Sequence, residues 1–217
     1  MGRALSPVAA RPHDLIRLAD LSALPTDAAP AWVGPSLADA PWVVVRRSVA
    51  PAGFLAVGVR GVARHERHAA LIPLHTAARV VQPEDLRPTD APTARTPALA
   101  ALRQARVILD DLALTWGPGG SVGFELATGR PTTTSTSDLD LIIRTDAVPT
   151  PTWAADLIDR LSRLSARVDC LVETGIGAIA LAELAAAPPT FVLRTNTGPQ
   201  LVSIEHINAM IAAGGPR

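Results

Sequence analysis

"GSVGFELATGRPTTTSTSDLDLII", Gly120 to Ile143, places two aspartates one residue apart at the head of an apolar run, directly after a tract of threonines and serines. Alternate side chains of a strand share a face. Asp138 and Asp140 therefore point the same way, with Ile142 beyond them, while Leu139, Leu141 and Ile143 face a core. Two carboxylates about 7 Å apart by strand rise repel each other unless something cationic sits between them. A divalent ion is one answer, because Mg²⁺ takes hard oxygen ligands, often one or two carboxylates together with substrate phosphates. A solvated strand end carrying two surface acids is the other, and Asp-x-Asp alone does not choose between them.

Working outward, "TPALAALRQARVILDDLALTW" has helical apolar spacing, with Pro97 near its first turn, and "GPGGS" breaks it. "VGFELAT" reads as a strand, "GRP" as a turn and "DLDLII" as a second strand. "PTWAADLIDRLSRLSA" is an amphipathic helix with Trp153, Leu157, Leu161 and Leu164 on one face. "RVDCLVET" is a third strand, in which Cys170 faces away from Asp169 into the core. "IGAIALAELAAA" reads as a helix and "TFVLRT" as a last strand. This order predicts an α/β (α+β) domain over residues 97–217. Residues 87–96, "RPTDAPTART", are rich in Pro and Thr and read as a linker. Residues 1–86 read as a smaller β-rich domain built on runs such as "WVVVRR" and "FLAVGVRG", with a turn of helix within "RHERHAALIPLHTAARVV".

All twenty basic residues are arginine; the chain has no lysine. That excludes a Walker A lysine, a pyridoxal-phosphate aldimine, a kinase strand lysine and a Ser-Lys dyad. The single cysteine excludes an internal disulfide and a cysteine-based zinc site, and fits a reducing cytoplasm. No apolar run approaches membrane-spanning length. Net charge is zero, so nucleic acid is not an expected partner, but the charge is unevenly spread. Residues 1–96 hold 11 arginines against 8 acids, and residues 97–217 hold 9 against 12. In the first part Arg60, Arg64 and Arg67 recur at near-helical spacing around "RHERH", either as a solvated face or as an anion-binding one. Arg144, directly after the Asp-x-Asp strand, either neutralises a phosphate or pairs with an acid.

Asp169 sharpens the reading of the opening stretch. If its strand lies beside that of Asp138 and Asp140, three acids share one face and can hold two metal ions about 4 Å apart, the spacing of two-metal phosphoryl chemistry. Ahead of them "GGS", Gly119 to Ser121, offers backbone amides and the Ser121 hydroxyl to a phosphate, with Gly120 permitting close approach. Two motif matches fail on context. "GGSVG" has the form of a hydrolase nucleophile elbow, followed by acids and His206, but an elbow needs a strand before and a helix after, the reverse of the expected order. Gly117, Gly119 and Val122 break a dinucleotide fingerprint at its third position.

The arrangement as a whole resembles the polymerase-β-like nucleotidyltransferases. More narrowly, "WGPGGSVGFELATG", "SDLDLIIR", "RVDCLVETGIGAIALAE" and "VLRTNTGPQLV" are similar to the phosphoribosyl-dephospho-CoA transferases of malonate decarboxylase, and "PHDLIRL", "VVVRR", "GVRGVARHER" and "VVQPEDL" extend the likeness over nearly the whole chain. The resemblance implies a polymerase-β-like catalytic domain and a Mg²⁺-dependent enzyme, while the cysteine count and the apolar runs lead us to expect a cytoplasmic protein without membrane partners. It implies a donor, 2′-(5″-triphosphoribosyl)-3′-dephospho-CoA, and an acceptor serine on the acyl carrier protein of malonate decarboxylase, with pyrophosphate leaving. Asp138 and Asp140 then carry over as metal ligands, with Asp169 as base or further ligand. Gly120, Ser121, Arg144, Arg60, Arg64 and Arg67 are the expected substrate contacts. A same-fold enzyme using an ordinary nucleoside triphosphate and a non-catalytic binding protein are the alternatives. The Thr/Ser tract reads as a flexible loop.

Overall fold

The "DLDLII" run does form a strand, and the alternation read from it holds in the computed structural model: Leu139, Leu141 and Ile143 are fully buried. Burying each such side chain is worth about 1.5–3 kcal/mol. A one-residue slip would exchange these side chains for the acids, so the register is strongly specified. The structure describes residues 10–24, 29–87 and 94–213. The chain divides into two units, Met1–Gln82 and Pro83–Arg217.

The first unit is a five-stranded antiparallel sheet. Its strands are β1 (Leu15–Leu18), β2 (Trp42–Val45), β3 (Phe54–Arg60), β4 (Arg67–Pro73) and β5 (Ala77–Val81), in the order β4-β3-β2-β1-β5. Helix α1 (Val33–Asp39) contributes Val33 and Leu37 to a core shared with Ile16, Val43, Val57 and Ile72. The expected β-rich character is borne out. The turn of helix expected late in this segment is a 3-10 turn at Leu74–Thr76 between β4 and β5. The arginine run is not helical. Arg60 ends β3, Arg67 opens β4 directly opposite it, and Arg64 lies in the connecting turn.

The second unit begins earlier than the composition suggested. A 3-10 turn at Pro83–Leu86 packs onto β6 (Thr115–Pro118) so closely that a Cβ on Gly117 would lie 1.9 Å from the Pro83 carbonyl oxygen. Only glycine fits there, and this contact ties residues 83–86 to the C-terminal unit rather than to the N-terminal domain in which the sequence reading placed them. Residues 88–93 of the expected linker lie outside the described residues, while Arg95 and Thr96 are anchored in the second unit. Helix α2 (Pro97–Asp110) starts where Pro97 predicted, with the Thr96 hydroxyl capping Leu99 N–H.

The largest departures from expectation follow α2. "LALTW" does not prolong the helix. The chain reverses through Ala113, at φ +51, into β6, where Trp116 is fully buried and donates from Nε1 to Asp110 Oδ1 at 3.0 Å. "VGFELAT" is not a strand but most of helix α3 (Gly120–Thr128), closed by Gly129 in the left-handed conformation at φ +73. Then come β7 (Leu139–Arg144), α4 (Pro151–Ser162) and β8 (Val168–Thr174), with β7 and β8 parallel as a helix crossover requires. The first residues of "IGAIALAELAAA" form β9 (Gly177–Ala180), an antiparallel return of β8, and only Leu181–Ala186 is helical, as α5. Strand β10 (Phe191–Thr195) hairpins into β11 (Gly198–Val202), and α6 (Ile204–Ala212) follows.

The second sheet runs β11-β10-β9-β8-β7-β6, antiparallel except for β7 and β8. Its core gathers Leu102, Leu109, Trp116, Leu141, Ile143, Leu157, Val172, Ile179 and Leu193. Cys170 sits in that core, and burial pushes its thiol up to about 12, so it has no nucleophilic character. Two sheets and six α-helices among the described residues make this an α+β protein with a β-rich N-terminal part. Among those residues no helix is long and apolar enough to cross a membrane.

Candidate active site

Strands β7 and β8 pair in register with Asp140 opposite Asp169. Neighbouring strands lie about 4.8 Å apart, and paired residues face the same side. The two carboxylates therefore share a face across the strand pair. Asp138, just before β7, lies two residues back on the same side. Asp138 and Asp140 are half-buried and Asp169 is exposed. The strand of Asp169 thus lies beside that of Asp140, as expected, and the three acids share one face in the backbone register.

Asp140 is placed by the turn into α3. Its carbonyl accepts the Gly119 N–H at 2.9 Å. Its carboxylate lies against Gly120, where an added Cβ would be 1.7 Å from Oδ2. Gly120 has φ +53, a conformation that costs other residues about 1–2 kcal/mol. No side chain caps the N-terminus of α3, and the partial positive charge there favours an anion. Beyond Asp140, Ile142 is 2% exposed beneath Gly119, which leaves only the Asp140 end of this face open beside the turn.

The cation between the acids is Arg167, a residue the sequence reading did not single out. Its Nη2 donates to Asp138 Oδ2 at 3.2 Å and also to Asp169 Oδ2. The charges of Asp169 and Asp138 raise its pKa above the usual arginine value. The signal was available: an arginine one residue before a strand, two before an acid, reaches that acid on the same face. Among the described residues no three His, Cys, Asp or Glu side chains converge closely enough to hold a metal ion, and two of the three acids are turned to Arg167 instead. The acids nonetheless fit a hard divalent ion. They supply only carboxylate oxygens, and a cation already sits between two of them.

The Thr/Ser tract is anchored rather than free. Glu125 of α3 accepts the backbone N–H of Thr132 at 2.9 Å and of Thr133 at 2.7 Å, and Arg95 clamps it at 2.8 Å. Thr133 is buried and bonded to Thr96, and the Thr132 hydroxyl donates to the Ser121 carbonyl. This network fixes the loop that delivers Asp138 to β7. Burial of the Glu125 carboxyl pushes its pKa up, but Arg95 and the donors of Thr133 and Thr132 outweigh that and hold it below the ordinary 4.5.

A carboxyl with a depressed folded pKa contributes stability that is fully present above the unfolded value and is lost as pH falls through the folded one. Glu125→Gln is therefore expected to cost about 1–2 kcal/mol at pH 7. The difference in Tm from the unsubstituted chain should shrink as pH drops below about 4.5. Thermal melts from pH 7 to pH 3 check this, and a gap independent of pH would contradict the charged network.

Arg144 ends β7, four residues and about 13 Å along the strand from Asp140. It pairs with Glu84 at 3.3 Å, both side chains being largely buried. Of its two expected roles, the structure displays the pairing with an acid. Ser121 lies in the first turn of α3, and Arg60, Arg64 and Arg67 stand on the hairpin of the first unit.

The context used to set aside the nucleophile elbow is reversed, since a strand, β6, does precede "GGSVG" and a helix follows. The elbow still fails, because the left-handed residue at the turn is Gly120, whereas Ser121 is an ordinary helical residue. β6 also leads into the glycines of the broken dinucleotide fingerprint, but it pairs antiparallel with β7, so no βαβ unit forms there.

Two family models match the chain: the N-terminal domain of phosphoribosyl-dephospho-CoA transferase MdcG over residues 11–83, and the C-terminal domain of the same family over residues 85–205. Relatives named phosphoribosyl-dephospho-CoA transferase are similar over most of their length. The protein of Pseudomonas syringae pv. tomato is 45% identical over 195 residues, covering 88% of this chain and 91% of the relative. That of Pseudomonas putida is 42% identical, covering 90% and 94%. That of Pseudomonas aeruginosa is 38% identical, covering 88% and 91%. No solved structure matches the chain.

Proposed function

The chain belongs to the phosphoribosyl-dephospho-CoA transferase family, whose activity is transfer of a phosphorus-containing group, and from this premise we propose that it transfers phosphoribosyl-dephospho-CoA from 2′-(5″-triphosphoribosyl)-3′-dephospho-CoA to a serine of the malonate decarboxylase acyl carrier protein. The observation that supports this most is the in-register pairing of Asp140 with Asp169 beside the Gly119-Gly120 turn, with Asp138 two residues away on the same side. A site of clustered carboxylates next to an uncapped helix N-terminus suits a polyphosphate bound with a divalent ion.

The carrier's serine oxygen attacks the α-phosphorus of the triphosphate. A serine–phosphorus bond forms, the bridging bond between the α- and β-phosphates breaks, and pyrophosphate leaves. Asp138, Asp140 and Asp169 would hold Mg²⁺, which when bound supplies neutralisation of the leaving pyrophosphate and acidification of the attacking hydroxyl. The side chain of Asp169, 53% exposed, is the one best placed to take the serine's proton at a carboxylate oxygen. The backbone amides at the start of α3 and the Ser121 hydroxyl orient the triphosphate in line with the acceptor. In the first unit, Arg60 and Arg67 lie directly opposite each other on the β3–β4 hairpin. We propose that Arg60, Arg64 and Arg67 on this hairpin meet anionic groups, such as the donor's phosphates or an acidic carrier.

Incubating the carrier subunit with this chain, the triphosphoribosyl donor and Mg²⁺ should add the mass of phosphoribosyl-dephospho-CoA to one serine, with one pyrophosphate released per carrier. An unmodified carrier under these conditions would refute the acceptor. Nucleotidylation of the carrier or of a small molecule from an ordinary nucleoside triphosphate would refute the donor.

A further inference from the structure

Arg167 already stands where a cation is required, and we infer that it is an exchangeable counter-ion: its guanidinium holds Asp138 and Asp169 until a divalent metal displaces it, and then turns to the donor's phosphates. The inference rests on the metal-dependent reading above and assigns a positioning role that the three acids alone do not supply.

The backbone of Arg167 is fixed, because its carbonyl accepts the Leu139 N–H at 2.9 Å where β7 and β8 begin. The guanidinium is not fixed in the same way. Its side chain is 67% exposed, and Asp138 and Asp169 are its only side-chain hydrogen-bond partners among the described residues. One nitrogen, Nη2, serves both carboxylates, so the planar fork that makes arginine–carboxylate pairs strong is not used. Exposed pairs of this kind are weak and screened by salt. A doubly charged ion concentrates more charge at the same oxygens and displaces the guanidinium. Asp140 takes no part in the clamp and lies at the Gly120 turn, while the other two acids are held by Arg167. After release, the pinned backbone keeps the guanidinium beside the acids, in reach of a phosphate bound there.

Competition of this sort lowers apparent metal affinity by the fraction of sites in which arginine is displaced. Removing the competitor should therefore strengthen metal binding, whereas removing a merely structural residue should not. Mn²⁺ titration of the full chain followed by electron paramagnetic resonance, without donor or carrier, reads this directly. Arg167→Gln is expected to bind Mn²⁺ about three- to tenfold more tightly, the range of one or two exposed ion pairs. Arg167→Lys, which keeps the charge, should stay close to the unsubstituted chain. With Mn²⁺ saturating, inorganic pyrophosphate should bind the glutamine variant several-fold more weakly.

Equal or weaker Mn²⁺ binding by Arg167→Gln would overturn the exchange while leaving the metal site standing. Mn²⁺ binding by neither chain would overturn the metal site and the exchange with it. Unchanged pyrophosphate affinity would overturn the turn toward phosphate. The exposure of the side chain makes a folding defect an unsuitable explanation for any of these results.

Discussion

Asp140→Asn is expected to lower the rate of transfer by about a thousandfold or more, with the fold intact. Asparagine matches aspartate in size, so the close packing against Gly120 and the backbone bond from Gly119 to residue 140 both survive. What is lost is a negative charge at the one acid that Arg167 does not hold. Asp138→Ala should have a comparable effect on transfer, and it also removes one arm of the Arg167 clamp. Neither substitution should reduce stability much, because each relieves repulsion among carboxylates gathered on one face. Carrier mass shift with time measures the rate, and a thermal melt checks the fold. Transfer within about tenfold of the unsubstituted chain by Asp140→Asn would remove Asp140 from the catalytic machinery.

What the sequence disclosed about this site is what side-chain alternation can disclose. "DLDLIIR" and "RVDCLVET" carry their acids and their core residues at period two, and that period fixes which side each faces once the two strands pair. Pro97 marked the start of α2 for the same kind of local reason, and Pro151 opens α4 in the same way. The helix α3 was misread because Val122, Phe124 and Leu126 also alternate, imitating a strand over seven residues. The deciding features are the reversal at Gly119-Gly120 and the Gly129 cap. Both are conformations of glycine, and the residue type alone does not announce which conformation is used.

The Thr/Ser tract was misjudged for a different reason. Its order comes from Glu125 and Arg95, which lie outside the tract, so the composition of the loop says nothing about its anchors. Arg167 escaped notice in a similar way. A metal ion was the obvious cation for the acids, yet the chain carries a cation of its own two residues from Asp169, and only the paired strands bring it across to Asp138.

Gly120→Ala should damage transfer far more than a methyl at the adjacent Gly119. The new Cβ would lie 1.7 Å from Asp140 Oδ2 and 2.7 Å from its Cγ, so the carboxylate must leave its place. The backbone at φ +53 adds about 1–2 kcal/mol for any residue with a Cβ. The displaced atom is the end of a flexible side chain, so the chain can still fold. The loss therefore falls on transfer, expected to drop about a hundredfold or more because Asp140 no longer meets the metal and the triphosphate in the required geometry. Gly119→Ala is the matching control. Its Cβ would lie 3.6 Å from Ile142 Cδ1 and 3.8 Å from Asp140 Cβ, ordinary contacts, and its φ of −108 suits alanine. Near-normal transfer by Gly119→Ala beside a crippled Gly120→Ala is the expected pair of results. Because the Gly120 effect acts through Asp140, adding it to Asp140→Asn should cost little further activity. Equal damage from both glycine substitutions, or a full multiplicative loss in the double variant, would show that the turn matters for something other than placing Asp140.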